Sequence, residues 1–417
     1  MDRSFLLAVY SQLYTFPHVI AEGDPTKATI GSKDAISNMV NPPEIHENKE
    51  PEKAAEIDPN WTPLGPDRFI EYKDGDNEFQ LTTKISKESN KIARSRRVAV
   101  RNAMKHAWNG YKKHAWGYDE VKPQSGGSQN NWGGMGTTLV DSLDTLWLMD
   151  MKEEFWEARD WVRDHLNNDI PRKVSVFETT IRSLGGLLSA YDWSGDNAFL
   201  EKARDLGDRL FHAFKTSDGI PDGQVNLHDH SISTASWLAH KKVLAEVGTL
   251  QVEFRYLSKV TGNEEYATKS EAVFEKLKQI QREDGLYPYY LTHGNKNGIP
   301  GFGNNSIKFG ANGDSFYEYM LKIWLQGGKQ EDMYREMYDK AMDGVHDKLL
   351  FKTEEKGLTY IAELDGQKVH RKMDHLVCFL AGSLALGAYT HPEGVQSPKA
   401  QRDLKTGKAL AYTCYQM

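Results

Sequence analysis

Several carboxylates of this chain stand in apolar or aromatic surroundings, where a solvated helix face would be polar throughout. Glu178 lies in SVFETTIRSLGGLLSAY, with Phe177, Ile181, Leu184 and Leu188 at helical spacing around it and Arg182 one turn further on. Asp314, in FGANGDSFYEY, follows a glycine-rich turn at a helix start, and Glu246, in LAEVGTLQVEF, sits in a nearly apolar run. Asp141 and Asp144, in TLVDSLDTLW, do the same, and His375, in KMDHLVCFLAG, precedes an apolar segment. Each has an ordinary explanation: a structural ion pair for Glu178 and Arg182, an N-cap for Asp314, a satisfied core histidine for His375. Together they fit glycoside chemistry. One carboxyl kept protonated, one base to activate water and oxygens for a hard cation are what that reaction needs, and no thiol or histidine-rich ligand set competes for the role.

The elements that must bring these residues together are helices. From about Lys91 onward, stretches such as VRNAMKHAWNGYKKHAW and TLQVEFRYLSKV place apolar residues three and four apart, separated by short breaks bearing Gly or Asp. The break Ser194-Gly195-Asp196-Asn197 closes one helix with Gly and caps the next with Asp, and Thr261-Gly262-Asn263-Glu264 repeats the chemistry. Gly328 and Gly394 continue the series at intervals of about 66 residues, and an earlier break near Asp150-Met151-Lys152 makes five helix pairs. The period exceeds that of the common helical solenoids, and the surplus lies in loops rich in Gly, Asn, Asp and His, such as 215–237 and 285–310. An all-α toroid of αα pairs, with its site built from those loops, fits better than a solenoid.

Composition excludes other classes. The chain has 417 residues, 52 Lys and Arg against 59 Asp and Glu, and a formal charge of -7, so it carries no basic field for nucleic acid. Ten Trp and 19 Tyr suit core packing and stacking on sugar faces alike. Cys378 and Cys414 are too few for a disulfide scaffold and lack zinc-ligand spacing, although one bridge is allowed. The sequons Asn60-Trp-Thr62 and Asn304-Asn-Ser306 are compatible with a secretory route. Residues 1–20 are too short and too polar to span a bilayer; they read as a weak signal or anchor remnant, or as an amphipathic or disordered start. Residues 21–90, broken by Pro25, Pro42, Pro43, Pro51, Pro59, Pro63 and Pro66, read as a polar, largely disordered stem, and 91–417 as the folded domain.

At these motifs a family resemblance becomes specific. HAWNGYKKHAWGYDEVKP with TTLVDSLDTLWLM, VFETTIRSLGGLLSAY, LAEVGTLQVEF, GANGDSFYEYMLKIWLQGGKQE and KMDHLVCFLAGSLALG occur in the order and approximate spacing of the class I α-mannosidases, glycoside hydrolase family 47. The resemblance runs from about Arg97 to Met417. It implies an (α/α)7 barrel, of which about five helix pairs are visible. It also implies calcium-dependent removal of terminal α-1,2-linked mannose from high-mannose N-glycans, with inversion, in the endoplasmic reticulum or Golgi lumen. By the same resemblance Glu178 corresponds to the general acid and Asp314 to a second essential carboxylate. Arg182, Glu246 and His375 correspond to sugar-site residues, and Cys378 and Cys414 to the family's disulfide.

The resemblance also sets expectations about what this sequence lacks. The family's domain continues beyond TCYQM, so the base glutamate and the threonine that binds calcium directly are expected beyond Met417, with no direct calcium ligand in this chain. Asn312 stands where endoplasmic-reticulum-type members have an arginine that contacts the glycan, which leaves open the mannose removed. Beside a hydrolase, two other readings stand: a catalytically silent glycan- or glycoprotein-binding relative in glycoprotein quality control, and an αα scaffold for protein partners. The expected partners are high-mannose glycoproteins, with a membrane tether through the amino terminus under the anchor reading.

Overall fold

The computed structural model describes residues 83–417. The leader reading of residues 1–20, nearly all of the 21–90 stem and the Asn60 sequon lie outside the described residues. The chain clusters into two units that part between Val100 and Arg101, and the account below concerns residues 101–417. Helix α1 (Thr83–Ala115) starts ahead of Lys91, and its last turns bury Trp108, Tyr111 and Ala115.

Five helix pairs follow. The first joins α2 (Thr137–Asp141) and α3 (Leu143–Leu148) to α4 (Lys152–His165). In the second, α5 (Val176–Thr179), a π-helical turn (Thr180–Leu184) and α6 (Gly185–Ser194) form one rod that precedes α7 (Asn197–Phe211). The third has α8 (Leu244–Val247) and α9 (Gln251–Thr261) before α10 (Glu265–Gln279). The fourth is α11 (Asp314–Gln326) with α12 (Asp332–Lys348), and the fifth α13 (Phe379–Tyr389) with α14 (Pro398–Gln416).

The breaks within pairs follow the expected chemistry. Gly195, Gly262, Gly328 and Gly394 have φ of 71°, 73°, 71° and 85°, the left-handed region that a Cβ disfavours, and Asp150 occupies it at 56°. Asp196 then caps α7 by accepting the Ala198 N–H, and Asn263 Oδ1 accepts the Glu265 N–H.

Within each pair the first helix is the more apolar. In α11 every residue from Ser315 to Leu325 is buried, whereas α12 buries Tyr334, Met337, Tyr338, Ala341, Met342 and Val345 at three- and four-residue spacing and leaves its other face wet. First helices therefore form an inner layer and second helices an outer one, around one continuous core that runs from Trp108 to Leu410. Glycine permits the closest inner contact: a Cβ at Gly186 would lie 2.6 Å from the Val140 carbonyl oxygen.

The connections that return from an outer helix to the next inner one are long and carry short antiparallel strands. Lys173–Ser175 pairs with Gln224–Asn226, Lys242–Val243 with Tyr290–Leu291, and Glu363–Asp365 with Ser306–Ile307. These strands interrupt the purely helical pattern read from the sequence, and they are confined to connections. Because the helices of a pair run antiparallel, all the long connections fall at one end of the layer and the short glycine breaks at the other.

Candidate active site

Four of the candidate residues lie at the entry of an inner rod, on the long-loop end. Glu178 is in α5, Glu246 in α8, Asp314 opens α11 and His375 begins the 3-10 turn His375–Cys378 ahead of α13. The one-dimensional signature of this placement is a spacing of 68 residues from Glu178 to Glu246 and again from Glu246 to Asp314.

The strand Lys173–Ser175 delivers Glu178, and Ser175 Oγ caps its helix by accepting the Glu178 N–H at 3.2 Å. One turn on, Arg182 Nε donates to Glu178 Oε2 at 2.8 Å, and Arg182 Nη1 stands 3.6 Å from Asp141 Oδ2. Arg182 lies on the π-helical turn, a geometry common at functional sites. The Trp132 ring covers the guanidinium at 5.5 Å. Burial pushes Asp141 up to about 7, against the lowering by Arg182, with the Asp144 and Glu178 charges adding to the rise. Burial also raises Asp144, whose Oδ2 accepts from Ser189 Oγ at 3.0 Å.

Glu246 faces the same group. Burial, then the charge of Glu178, pushes its carboxyl up to about 7. A Cβ built on Gly223 would lie 2.9 Å from Glu246 Oε2, so the carboxyl rests against bare backbone. The Gly223 carbonyl also accepts the Val176 N–H at 2.9 Å, where Glu178's helix begins.

Asp314 is linked to this group through the main chain. Ala245, beside Glu246, donates its N–H to the Asn312 carbonyl at 3.0 Å, and Asn312 sits at a φ of 77°. Asp314 is the first residue of α11 rather than its N-cap, a position held by Gly313, which corrects the capping explanation. Burial pushes it up to about 7, with the charges of Glu318 and Asp374 adding to the rise. Asp374 caps the turn that starts at His375, and its carboxylate fills the space where a side chain at Gly310 would lie. His375 is exposed, not a core histidine. The structure thus groups Glu178, Arg182, Asp141 and Glu246, and sets Asp314 near Asp374, the residue before His375.

Cys378, three residues past His375, is bonded to Cys414 near the end of α14, so the expected disulfide is present. The pairing closes a span of 36 residues that contains α13.

Sequence reasoning missed several supports. Asp119 is fully buried, and its carboxylate accepts the N–H groups of Trp132, Gly134, Met135 and Thr137 and the Thr137 hydroxyl. That wraps the loop that presents Trp132. Glu253 is fully buried with Tyr319 Oη donating to Oε1 at 2.7 Å, and Glu318 pairs with Lys322 one turn along α11. The four-residue Glu318–Lys322 spacing in an apolar helix was a usable signal; Asp119 offered none, because its partners are backbone groups. Among the described residues no three His, Cys, Asp or Glu side chains converge as a metal site.

The layered αα pairs, with carboxylates and a tryptophan at their loop end, define an α/α-toroid type of fold. The chain is similar to an α-1,2-mannosidase from Trichoderma reesei, with a TM-score of 0.69 and 27% identity, over 76% of this chain and 67% of that one. A sugar epimerase from a ruminal bacterium shares the fold at a TM-score of 0.52 and 14% identity. The sequence pattern described as glycosyl hydrolase family 47 matches residues 103–417, and the chain belongs to that family.

Mannosyl-oligosaccharide 1,2-alpha-mannosidase MNS1 of Arabidopsis thaliana is 44% identical over 327 residues, 78% of this chain and 57% of that protein. The endoplasmic reticulum mannosyl-oligosaccharide 1,2-alpha-mannosidase of Homo sapiens is 39% identical over 399 residues, 95% of this chain and 52% of that protein. The chain spans about half the length of the curated relatives it matches.

Proposed function

We propose that this chain is a hydrolase that removes terminal α-1,2-linked mannose from high-mannose N-glycans, with inversion, in the lumen of the endoplasmic reticulum or Golgi. The observation that carries this reading is the convergence of Glu178, Arg182 and Glu246 at the loop end of a family 47 ring. Glu178 acts as the acid that protonates the departing glycosidic oxygen, and Asp314 as the second essential carboxylate. Asp141 and Glu246, both pushed up to about 7, exchange protons beside Glu178 in the neutral range, each about half protonated there. Neutral carboxyls of this kind donate to and accept from sugar hydroxyls while Arg182 fixes the orientation of Glu178.

Calcium dependence belongs to the same proposal and rests on family membership. Among the described residues no three His, Cys, Asp or Glu side chains form a cluster that would hold the ion. The test is mass spectrometry of a high-mannose glycan incubated with the purified chain, with calcium or with a chelator. Stepwise loss of hexose that the chelator stops supports the reading. Binding without hexose loss selects the silent glycan-binding alternative, and neither binding nor loss overturns both.

A further inference from the structure

Lys242 is a buried cation, 2% exposed, outside the carboxylate groups described above. Its ammonium donates to Asp218 Oδ1 at 3.1 Å and to the Ile220 carbonyl, and lies 3.6 Å from Asp222 Oδ1. Asp218, 4% exposed, accepts in addition from Thr216 Oγ1, the Ile220 N–H and the Gly294 N–H. Lys276 reaches the Asp218 carbonyl. Three segments of two connections are therefore knotted at one point: the 216–223 turn, the strand that leads into α8, and the 290–298 loop.

Both ends of this knot lead to the carboxylates. Downstream of Asp218 the turn ends at Gly223, whose carbonyl holds Val176 and whose Cα faces Glu246, while Gln224 pairs with Ser175, the cap of Glu178's helix. Lys242 lies in the strand that leads directly into α8, the helix that carries Glu246. We propose that Lys242 is a positioning residue that holds the 216–223 turn through Asp218 and the Ile220 carbonyl, and so sets the separation of the Glu178 and Glu246 carboxyls across Gly223.

Stability alone does not call for an ion pair here. A buried pair loses in desolvation much of what it gains in attraction, and apolar residues of like volume fill such sites as well. What a methionine cannot do is bind two particular oxygens of the turn. The pair thus specifies geometry, and the nearest geometry it specifies is the pair of acids on either side of Gly223.

The inference rests on the proposed function only in taking Glu178 and Glu246 to face one sugar. Its test is the carboxyl titration of Glu246 by NMR on the full chain with 13C-labelled glutamate. The charged and titratable groups that face this carboxyl are Glu178 and Tyr290. In Asp218→Asn/Lys242→Met both charges of the buried pair go together, and the part-buried Asp222 is left without this cation. The turn then retreats, water reaches Glu246, and its midpoint falls by about one unit or more. Lys399→Met, which removes a cation paired with Asp343 on the outer layer, leaves the midpoint in place.

A folded double variant with an unchanged Glu246 midpoint overturns the proposal, as does an equal shift in Lys399→Met. A double variant that does not fold overturns it as well, because the pair is then a determinant of the fold. Titration with α-1,2-linked mannobiose separates the two claims: failure of the parent chain to bind counts against the proposed function, while the sugar-free titration still decides the role of Lys242.

Discussion

Arg182 binds Glu178 from Nε at 2.8 Å across a turn that is π-helical. The same guanidinium reaches Asp141 at 3.6 Å and lies under Trp132, so one cation orients two acids and carries an aromatic wall. Arg182→Met removes that orientation. Stability falls by about 1–3 kcal/mol, because partly buried acids lose their counter-charge, and Asp141 is pushed further up. Arg182→Lys keeps the charge but not the planar fork, and falls between parent and Met. Thermal melts of the three proteins check the order.

Three acids give the chain a distinctive response to pH. Asp141, Glu246 and Asp314 are pushed up to about 7 in the folded chain, from ordinary values of 3.8, 4.5 and 3.8. Between the two sets of values the folded state holds protons that the unfolded state has released, so the unfolded state binds fewer. Stability therefore declines as pH rises from about 4 to about 7, and levels off above that. Asp314→Asn or Glu246→Gln removes its share of the decline. At pH 8 each raises the melting temperature by several degrees, taking roughly 1–3 kcal/mol per site and about 2–4 °C per kcal/mol. Near pH 4 the parent acids are themselves mostly protonated and each substitution changes little. Calorimetric scans across this range check the sign.

Gly223 offers a change of one methyl group. A Cβ there falls 2.9 Å from Glu246 Oε2, the free end of a flexible side chain, so Gly223→Ala displaces the carboxyl rather than the backbone. We expect a melting temperature close to that of the parent and about tenfold weaker binding of α-1,2-linked mannobiose, a cost near 1.4 kcal/mol. Calorimetric titration beside a thermal melt measures both.

The Cys378–Cys414 bridge closes a span of 36 residues. Chain-entropy reasoning puts its contribution at about 3–4 kcal/mol. Cys378→Ala/Cys414→Ala should lower the denaturant midpoint accordingly, with the loss concentrated in α13, α14 and the turn that bears His375. Hydrogen exchange resolved by segment locates it.

The ring of helix pairs was legible because Gly195, Gly262, Gly328 and Gly394 mark each return with a residue suited to positive φ. Glu178 with Arg182 was legible through its spacing and apolar frame. The Asp314 sequence marks a helix entry, and the structure puts the residue one position past the N-cap Gly313, a difference that a sequence does not resolve. The apolar residues after His375 allow a core histidine as well as a sugar-site one, and the 3-10 turn capped by Asp374 leaves it exposed. The Lys242–Asp218 knot and the Asp119 loop could not be read, because their partners are 24 residues away in the first case and main-chain N–H groups in the second. Contacts of that kind leave no periodic trace in a sequence.

The most direct test of the account is the anomer of mannose first released from a high-mannose glycan, followed by NMR in the parent chain and in Glu178→Gln. The account predicts that mannose released by the parent appears first as the β anomer and that the variant, folded as judged by its melting temperature, releases none. Release of mannose that Glu178→Gln leaves unchanged, or α-mannose as the first product, would contradict it.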